Sequence, residues 1–252
     1  DVSFAVSNLI GWENIYLAAE GSVLNRYEPI SADLIDEGGK PNTLGYSARL
    51  NLESNGFFAK AEYVSAGKKY FQNPDMTATE WFLKKDGNAQ LVEFGYNGKG
   101  LGLTMTGRRL EWMSSNIISG NVSTSNLMNY VPAMCTQYTY MLTTFHPYSS
   151  QTGLIQQNFI NSGEIGGQID AFYNFRRGTK LGGKRGMRVH ANFSTYSAIA
   201  QEGTFSMGNL LYRDFSFDVE KQWSKKFKTI LLYSSQKYNE SYGATNDFIN
   251  QN

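Results

Sequence analysis

Hydrophobic and polar positions alternate with a period of two over much of the chain, most clearly between residues 163 and 196. There GEIGGQIDAFYNF is followed by RRGTKLGGKRG and then MRVHANFSTY. In the first arm Ile165, Ile169, Ala171, Tyr173 and Phe175 occupy alternate positions. Gln168, Asp170, Asn174 and Arg176 lie between them, with Phe172 as the exception. In the second arm Met187, Val189, Ala191 and Phe193 alternate with Arg188, His190, Asn192 and Ser194. A strand sends successive side chains to opposite faces, so each arm has an apolar and a polar face. The Gly-, Lys- and Arg-rich linker reads as a turn. The stretch predicts a long amphipathic β-hairpin.

The pattern recurs. Residues 14–24 place Ile15, Leu17, Ala19 and Val23 against Tyr16, Glu20 and Ser22. Residues 43–53 place Leu44, Tyr46, Ala48, Leu50 and Leu52 against Gly45, Ser47, Arg49, Asn51 and Glu53. The tight-turn signal Ser54-Asn55-Gly56 leads into a strand with Phe57, Ala59, Ala61 and Tyr63 opposite Lys60 and Glu62. Further strands are expected over 90–96, 101–112, 212–220 and 227–233. Turns are expected at 97–100 and 223–226. In 101–112 the phase breaks, since Arg109 and Glu111 would fall on the apolar side. This implies either a bulge near Gly107 or an exit from the apolar zone. Residues 25–42 and 65–89 read as polar loops, 113–162 as a long aromatic insertion, and 239–252 as a polar loop.

Short connections at 54–56, 97–100 and 222–225, and a medium one at 177–185, thus alternate with long ones at 25–42, 65–89 and 113–162 and an intermediate one at 199–208. That is the rhythm of an antiparallel up-and-down transmembrane β-barrel, with short periplasmic turns and long extracellular loops. Strands of roughly ten residues suit a tilted crossing of a bilayer. The fold expected is all-β, one domain over 1–252 with its insertion at about 113–162. Leu50, Ile169, Val189, Phe193, Phe215 and Phe217 would face lipid. Arg49, Lys60, Glu62, Asp170, Arg188, His190, Asp214, Asp218 and Glu220 would line a wet lumen, where opposite charges can pair. Aromatics at expected strand ends, Phe57, Tyr63, Phe175, Trp223, Phe227 and Tyr233, suit interfacial girdles. A soluble β-sandwich, its apolar faces turned inward, is the alternative fold.

Composition narrows the function. Charged residues are 18% and aromatics 14%, and the net charge of +1 gives no argument for nucleic acid. No apolar run approaches the ~20 residues of a membrane helix. Cys135 is the single cysteine, so no intrachain disulfide forms. Cys135 and His146 alone do not make a metal site, and no cofactor is expected.

Four clusters could carry chemistry. Gly178 to Arg185, GTKLGGKR, nearly matches the phosphate-binding G-x-x-x-x-G-K-[ST], but Arg185 replaces the metal-binding hydroxyl and the segment joins two strands. His190 and Ser194 share a face about 13 Å apart by strand rise; Asp170 could reach His190 across the hairpin. A hydrogen-bonded lumen network is favoured over a hydrolase triad, and no enzymatic activity is expected. The pairs Arg108-Arg109, Arg176-Arg177 and Lys184-Arg185 could attract anionic lipid or an anionic glycan, against the plainer reading of rim and lumen charge. Asp214, Asp218 and Glu220 share a face and are expected to pair with bases on a neighbouring strand rather than form a glycosidase pair.

The block around GEIGGQIDAFYNFRRGTKLGGKRGMRVHANFSTY, with EFGYNGKGLGLTMTGRRLEWM, NYVPAMCTQYTYMLTTFHPY and LLYRDFSFDVEKQW, resembles an uncharacterised family of outer-membrane β-barrel proteins from Bacteroidota. The resemblance implies an outer-membrane location and a barrel larger than this chain, of which it would be a middle-to-late part. It carries no activity onto any residue. The expected function is a porin-like channel or plugged barrel for passive solute passage. The alternative is a non-conducting scaffold barrel within a larger outer-membrane complex. Expected partners are membrane lipids, lipopolysaccharide and other outer-membrane proteins.

Overall fold

In the computed structural model, which describes residues 2–27, 32, 35, 39–72, 82–113, 163–239 and 248–251, eleven strands form a single antiparallel sheet in chain order. They are β1 (Val2–Ala5), β2 (Tyr16–Tyr27), β3 (Asn42–Ser54), β4 (Phe57–Gln72), β5 (Phe82–Gly98), β6 (Leu101–Glu111), β7 (Gly163–Phe175), β8 (Met187–Ile199), β9 (Met207–Gln222), β10 (Lys228–Asn239) and β11 (Phe248–Gln251). A five-residue helix, α1 (Val6–Ile10), links β1 to β2. The fold is all-β and up-and-down. Among the described residues the edge strands β1 and β11 are not paired with each other, so the sheet is open. No helix among the described residues is long and apolar enough to cross a membrane.

One end of the sheet carries tight turns. Asn55 (φ 50°) and Gly56 (φ 84°) join β3 to β4, and Lys99 (φ 53°) and Gly100 (φ 89°) join β5 to β6. Two central residues with positive φ make the turn whose twist matches a hairpin, which is why Asn-Gly and a Gly second position appear there. Residues 176–186 and 223–227 turn the chain at the same end.

The strands outrun the apolar pattern. β4 and β5 are 16 and 17 residues long and pair as far as Gln72 and Phe82, so most of the expected loop at 65–89 is strand. A bulge between Ser65 and Gly67 (φ 70°) shifts the register there, which scrambles the alternation that the sequence pattern relies on. β6 pairs with β5 and β7 without interruption from Leu101 to Glu111, so there is no bulge at Gly107. The phase break is an exit from the apolar zone. The expected C-terminal loop contains β11, and β1 was not foreseen; each is four residues long, too short for a period-two pattern to register. The expected insertion falls, apart from Met113, outside the described residues, with Cys135 and His146.

Register fixes the two faces. Leu17–Leu52–Ala59–Phe94–Met105–Ile169–Phe193–Phe215 run across β2 to β9 through direct pairs on one face. This face is apolar and exposed: Leu50 is 54%, Phe94 56%, Ile169 43% and Phe217 40% accessible. From Leu44 to Leu52 the face extends about 27 Å along the strand at ~3.4 Å per residue. The cluster of buried apolar residues is small, Tyr196, Ala198, Leu211 and Tyr212 with Leu91 packed against it, at the end of β8 and β9 away from the tight turns. Most of the sheet's apolar side chains therefore face away from any core.

Candidate functional site

The opposite face is polar, and its charges meet by register. Glu20, Arg49 and Glu62 stand directly opposite one another on β2, β3 and β4. Arg49 Nη1 donates to Glu20 at 3.1 Å and Nη2 to Glu62 at 2.9 Å. Lys60 reaches Glu93, its partner on β5, at 3.2 Å. Ser22 and Ser47 hydroxyls lie 2.6 Å apart. Cross-strand neighbours are the unit of sheet stabilisation, and here each cation is set between or beside anions.

On β7 to β9 the polar face becomes a buried network. His190 Nδ1 lies 2.6 Å from Asp218, its register partner, and Nε2 lies 2.7 Å from Asp170, one step diagonal. Asn192 donates to the same Asp170 oxygen at 3.0 Å, and Ser194 donates to Asn192 at 3.1 Å. His190, Asn192, Ser194, Asp214, Ser216 and Asp218 are all buried. Nearer the long-loop end, Arg108 donates to Glu164 at 2.5 Å and lies over the Tyr196 ring at 5.2 Å. At the turn end Lys228 pairs with Glu220 at 2.7 Å, and Arg188 lies over the Phe172 ring at 4.8 Å.

This geometry does not assemble a hydrolytic triad. Both imidazole nitrogens of His190 face carboxylates, so neither is left to take a proton from Ser194, whose hydroxyl is directed to Asn192. Among the described residues no group of three or more His, Cys, Asp or Glu is arranged to hold a metal ion. The near-match to a phosphate loop also resolves physically. The amides of Gly178, Gly182, Gly183 and Gly186 donate to Gly183 O, Thr179 Oγ1, Thr179 O and Gly182 O, so these glycine amides are spent within the turn and are not offered to a phosphate. Lys221 clamps the turn from β9 through Leu181 O and Gly182 O.

All nine polar positions singled out from sequence, Arg49, Lys60, Glu62, Asp170, Arg188, His190, Asp214, Asp218 and Glu220, lie on this one face. The six apolar ones, Leu50, Ile169, Val189, Phe193, Phe215 and Phe217, lie on the other. Of the carboxylates on β9, Asp218 meets His190 and Glu220 meets Lys228. Of the aromatics expected at strand ends, Phe57, Phe175, Trp223 and Phe227 are at the turn end. Tyr63 and Tyr233 are mid-strand, because β4 and β10 run on to Gln72 and Asn239.

A second cluster escaped the sequence. Arg108 and Arg109 are not a free basic pair: Arg108 is tied up on the polar face, Arg109 on the other. Arg109 donates to Glu111 at 2.6 Å, to Asn88 at 2.7 Å and to Thr204 O at 2.8 Å, with Phe205 5.4 Å from its guanidinium. Glu111 accepts from the Gly203 amide at 2.7 Å. Glu202 accepts from Lys85 at 2.7 Å and from the Trp112 indole at 3.2 Å. The β8–β9 connection thus folds back across to β6 and β5 and clasps the sheet just past the point where its apolar face ends. The one available signal was the polar pair Arg109 and Glu111 in apolar phase.

The fold and its faces can be set beside known families. Residues 1–252 match DUF6029, described as a family of unknown function. The chain belongs to DUF6029. No curated protein matches it. Membership in DUF6029 assigns no chemistry to any residue, so the polar face and its ion-pair ladders are the basis for a functional reading.

Proposed function

We propose that this DUF6029 chain forms the wall of a β-barrel in a bacterial outer membrane of the Bacteroidota type. The tight turns lie on the periplasmic side and the polar face lines the lumen. It serves as a porin-like channel or plugged barrel for passive passage of solutes. The observation that carries this reading is the pairing of an exposed apolar face, continuous across β2 to β9, with an opposite face of register-matched ion pairs. Water would not tolerate so much contiguous apolar surface. Hydrocarbon would, provided every backbone group is paired by closure of the sheet. Aromatics at the turn end fit an interfacial belt, and the charges along the polar face would set which solutes pass. Lipid and lipopolysaccharide would contact the apolar face.

The test is purification from native membranes followed by planar-bilayer recording. Retention in the pellet on carbonate extraction and discrete conductance steps are expected. Full release without detergent, as a β-sandwich would show, overturns the membrane reading.

A second reading has its own observation. His190, Ser194, Asp214 and Asp218 are buried, so the polar face of β8 and β9 is not open to water along its length. A non-conducting scaffold barrel in a larger outer-membrane assembly accounts for that. Membrane retention with no conductance and stoichiometric co-purifying proteins would favour it over the channel.

A further inference from the structure

We propose that the turn-side rim of the sheet binds a soluble phosphate-bearing solute through side chains, at a pocket of about 460 Å³ whose lining includes Arg176, Arg177, Arg185, Arg188, Lys228 and Glu220. The volume suits a small ligand. Four arginines and one lysine line this space with one carboxylate, which is already paired to Lys228 at 2.7 Å. Like charges so gathered repel, and a multivalent oxyanion relieves the repulsion while accepting the paired N–H donors that a guanidinium presents in a plane. The amides of Gly178, Thr179, Gly182, Gly183 and Gly186 are bonded within the turn, so the donors assigned to the anion are side chains. The clamp of Lys221 on Leu181 O and Gly182 O fixes the turn that carries Arg185, so the site is preorganised. Arg188 and Glu220 are register partners on the polar face, while Phe175 and Met187, which also line the pocket, are register partners on the apolar face, so the pocket sits at the turn-side rim of the sheet. Five cations against one paired carboxylate exceed what a single phosphodiester headgroup neutralises, which selects a multiply charged soluble phosphate. The site stands on these contacts whether or not the barrel conducts.

The experiment is calorimetric titration of the detergent-purified full chain with inorganic pyrophosphate at about 0.05 M and about 0.3 M salt. Saturable binding is expected, weakened by salt. Arg185→Gln, an exposed turn position, should weaken it about ten-fold, and Arg176→Gln/Arg185→Gln should abolish it. Lys225→Gln/Lys226→Gln, equal in charge removed but outside the pocket, should change it less than about two-fold. Heat-modified mobility on gels checks that each variant is folded. Absence of binding to the folded chain, or equal weakening by the Lys225/Lys226 variant, overturns the proposal. So does binding only to phosphatidylglycerol vesicles that depends on the same arginines, since that would make the ligand a lipid headgroup. Conductance without pyrophosphate binding would sink this site and leave the channel standing; binding without conductance would do the reverse.

Discussion

The polar faces of β2–β5 and β7–β9 are written in the same alternation but sit in different surroundings. On β2–β5 the triad Glu20–Arg49–Glu62 is open, with the Arg49 side chain 45% accessible, and Lys60 is as exposed as Arg49. On β7–β9 the His190 and Asp218 side chains are each 10% accessible, and Arg108 and Glu164 on β6 and β7 are more deeply buried still. Two charges in water gain little by touching, because water screens them and their side chains lose freedom. Two charges out of water depend on each other, because neither can be left alone. Identical pairing chemistry therefore performs different work in the two halves: a replaceable ladder in one, an obligatory one in the other.

The largest effect expected is at Glu164→Gln. It leaves the Arg108 guanidinium buried without its carboxylate, which costs about 3–5 kcal/mol. Urea titration of the purified protein should show this as a large fall in midpoint. The contrast sharpens with Arg108→Met/Glu164→Leu, which removes both charges and should recover most of the loss. If the double variant is no better than the single, burial is not what distinguishes the halves. Next comes Asp218→Asn, which weakens a charge-assisted bond to His190 while Asp170 keeps the other nitrogen. A loss of about 2 kcal/mol is expected in the same titration.

The clasp on the apolar side of the sheet offers a third comparison, since Arg109 and Glu111 are as buried as Arg108 and Glu164 but hold a connection rather than a strand. Glu111→Gln leaves Arg109 its bonds to Asn88 and Thr204 O, so it should loosen residues 200–206 without unfolding the sheet. Chymotrypsin would then cut after Phe205 faster, by about an order of magnitude for a weakened charged hydrogen bond. Global unfolding in place of local cleavage would mean that the clasp is part of the sheet's core.

Sequence pattern reached the faces and missed the ends. Alternation placed Arg49 opposite Leu50 in side, and Asp170 opposite Ile169, because period two is a local property of a strand. It also located the Asn55-Gly56 turn, where two positive φ values demand particular residues. It stopped short on β4 and β5 because the bulge at Ser65/Gly67 shifts the register and because strands beyond the apolar belt have no apolar face to reveal them. The Asp170–His190 contact was within reach of hairpin counting. The Asp218–His190 contact was not, since it requires the register of β8 on β9, and nothing local specifies it. The clasp was hidden for the same reason: Glu202 meets Lys85 from 117 residues away.

The smallest effect tests the other half of the contrast. Arg49→Gln removes the centre of a three-strand ladder, with two salt bridges at 3.1 and 2.9 Å. By the number of ion pairs broken it should matter more than Asp218→Asn. By exposure it should matter less, because Glu20 and Glu62 are left facing water, where each is solvated at once. The expected loss is under about 1 kcal/mol, and it should shrink further in high salt. The same urea titration decides it. A loss of 3 kcal/mol or more, on the scale of a broken buried pair, would show that the β2–β5 face is drier than its accessibility implies. The two halves would then be one continuous, closed polar interior.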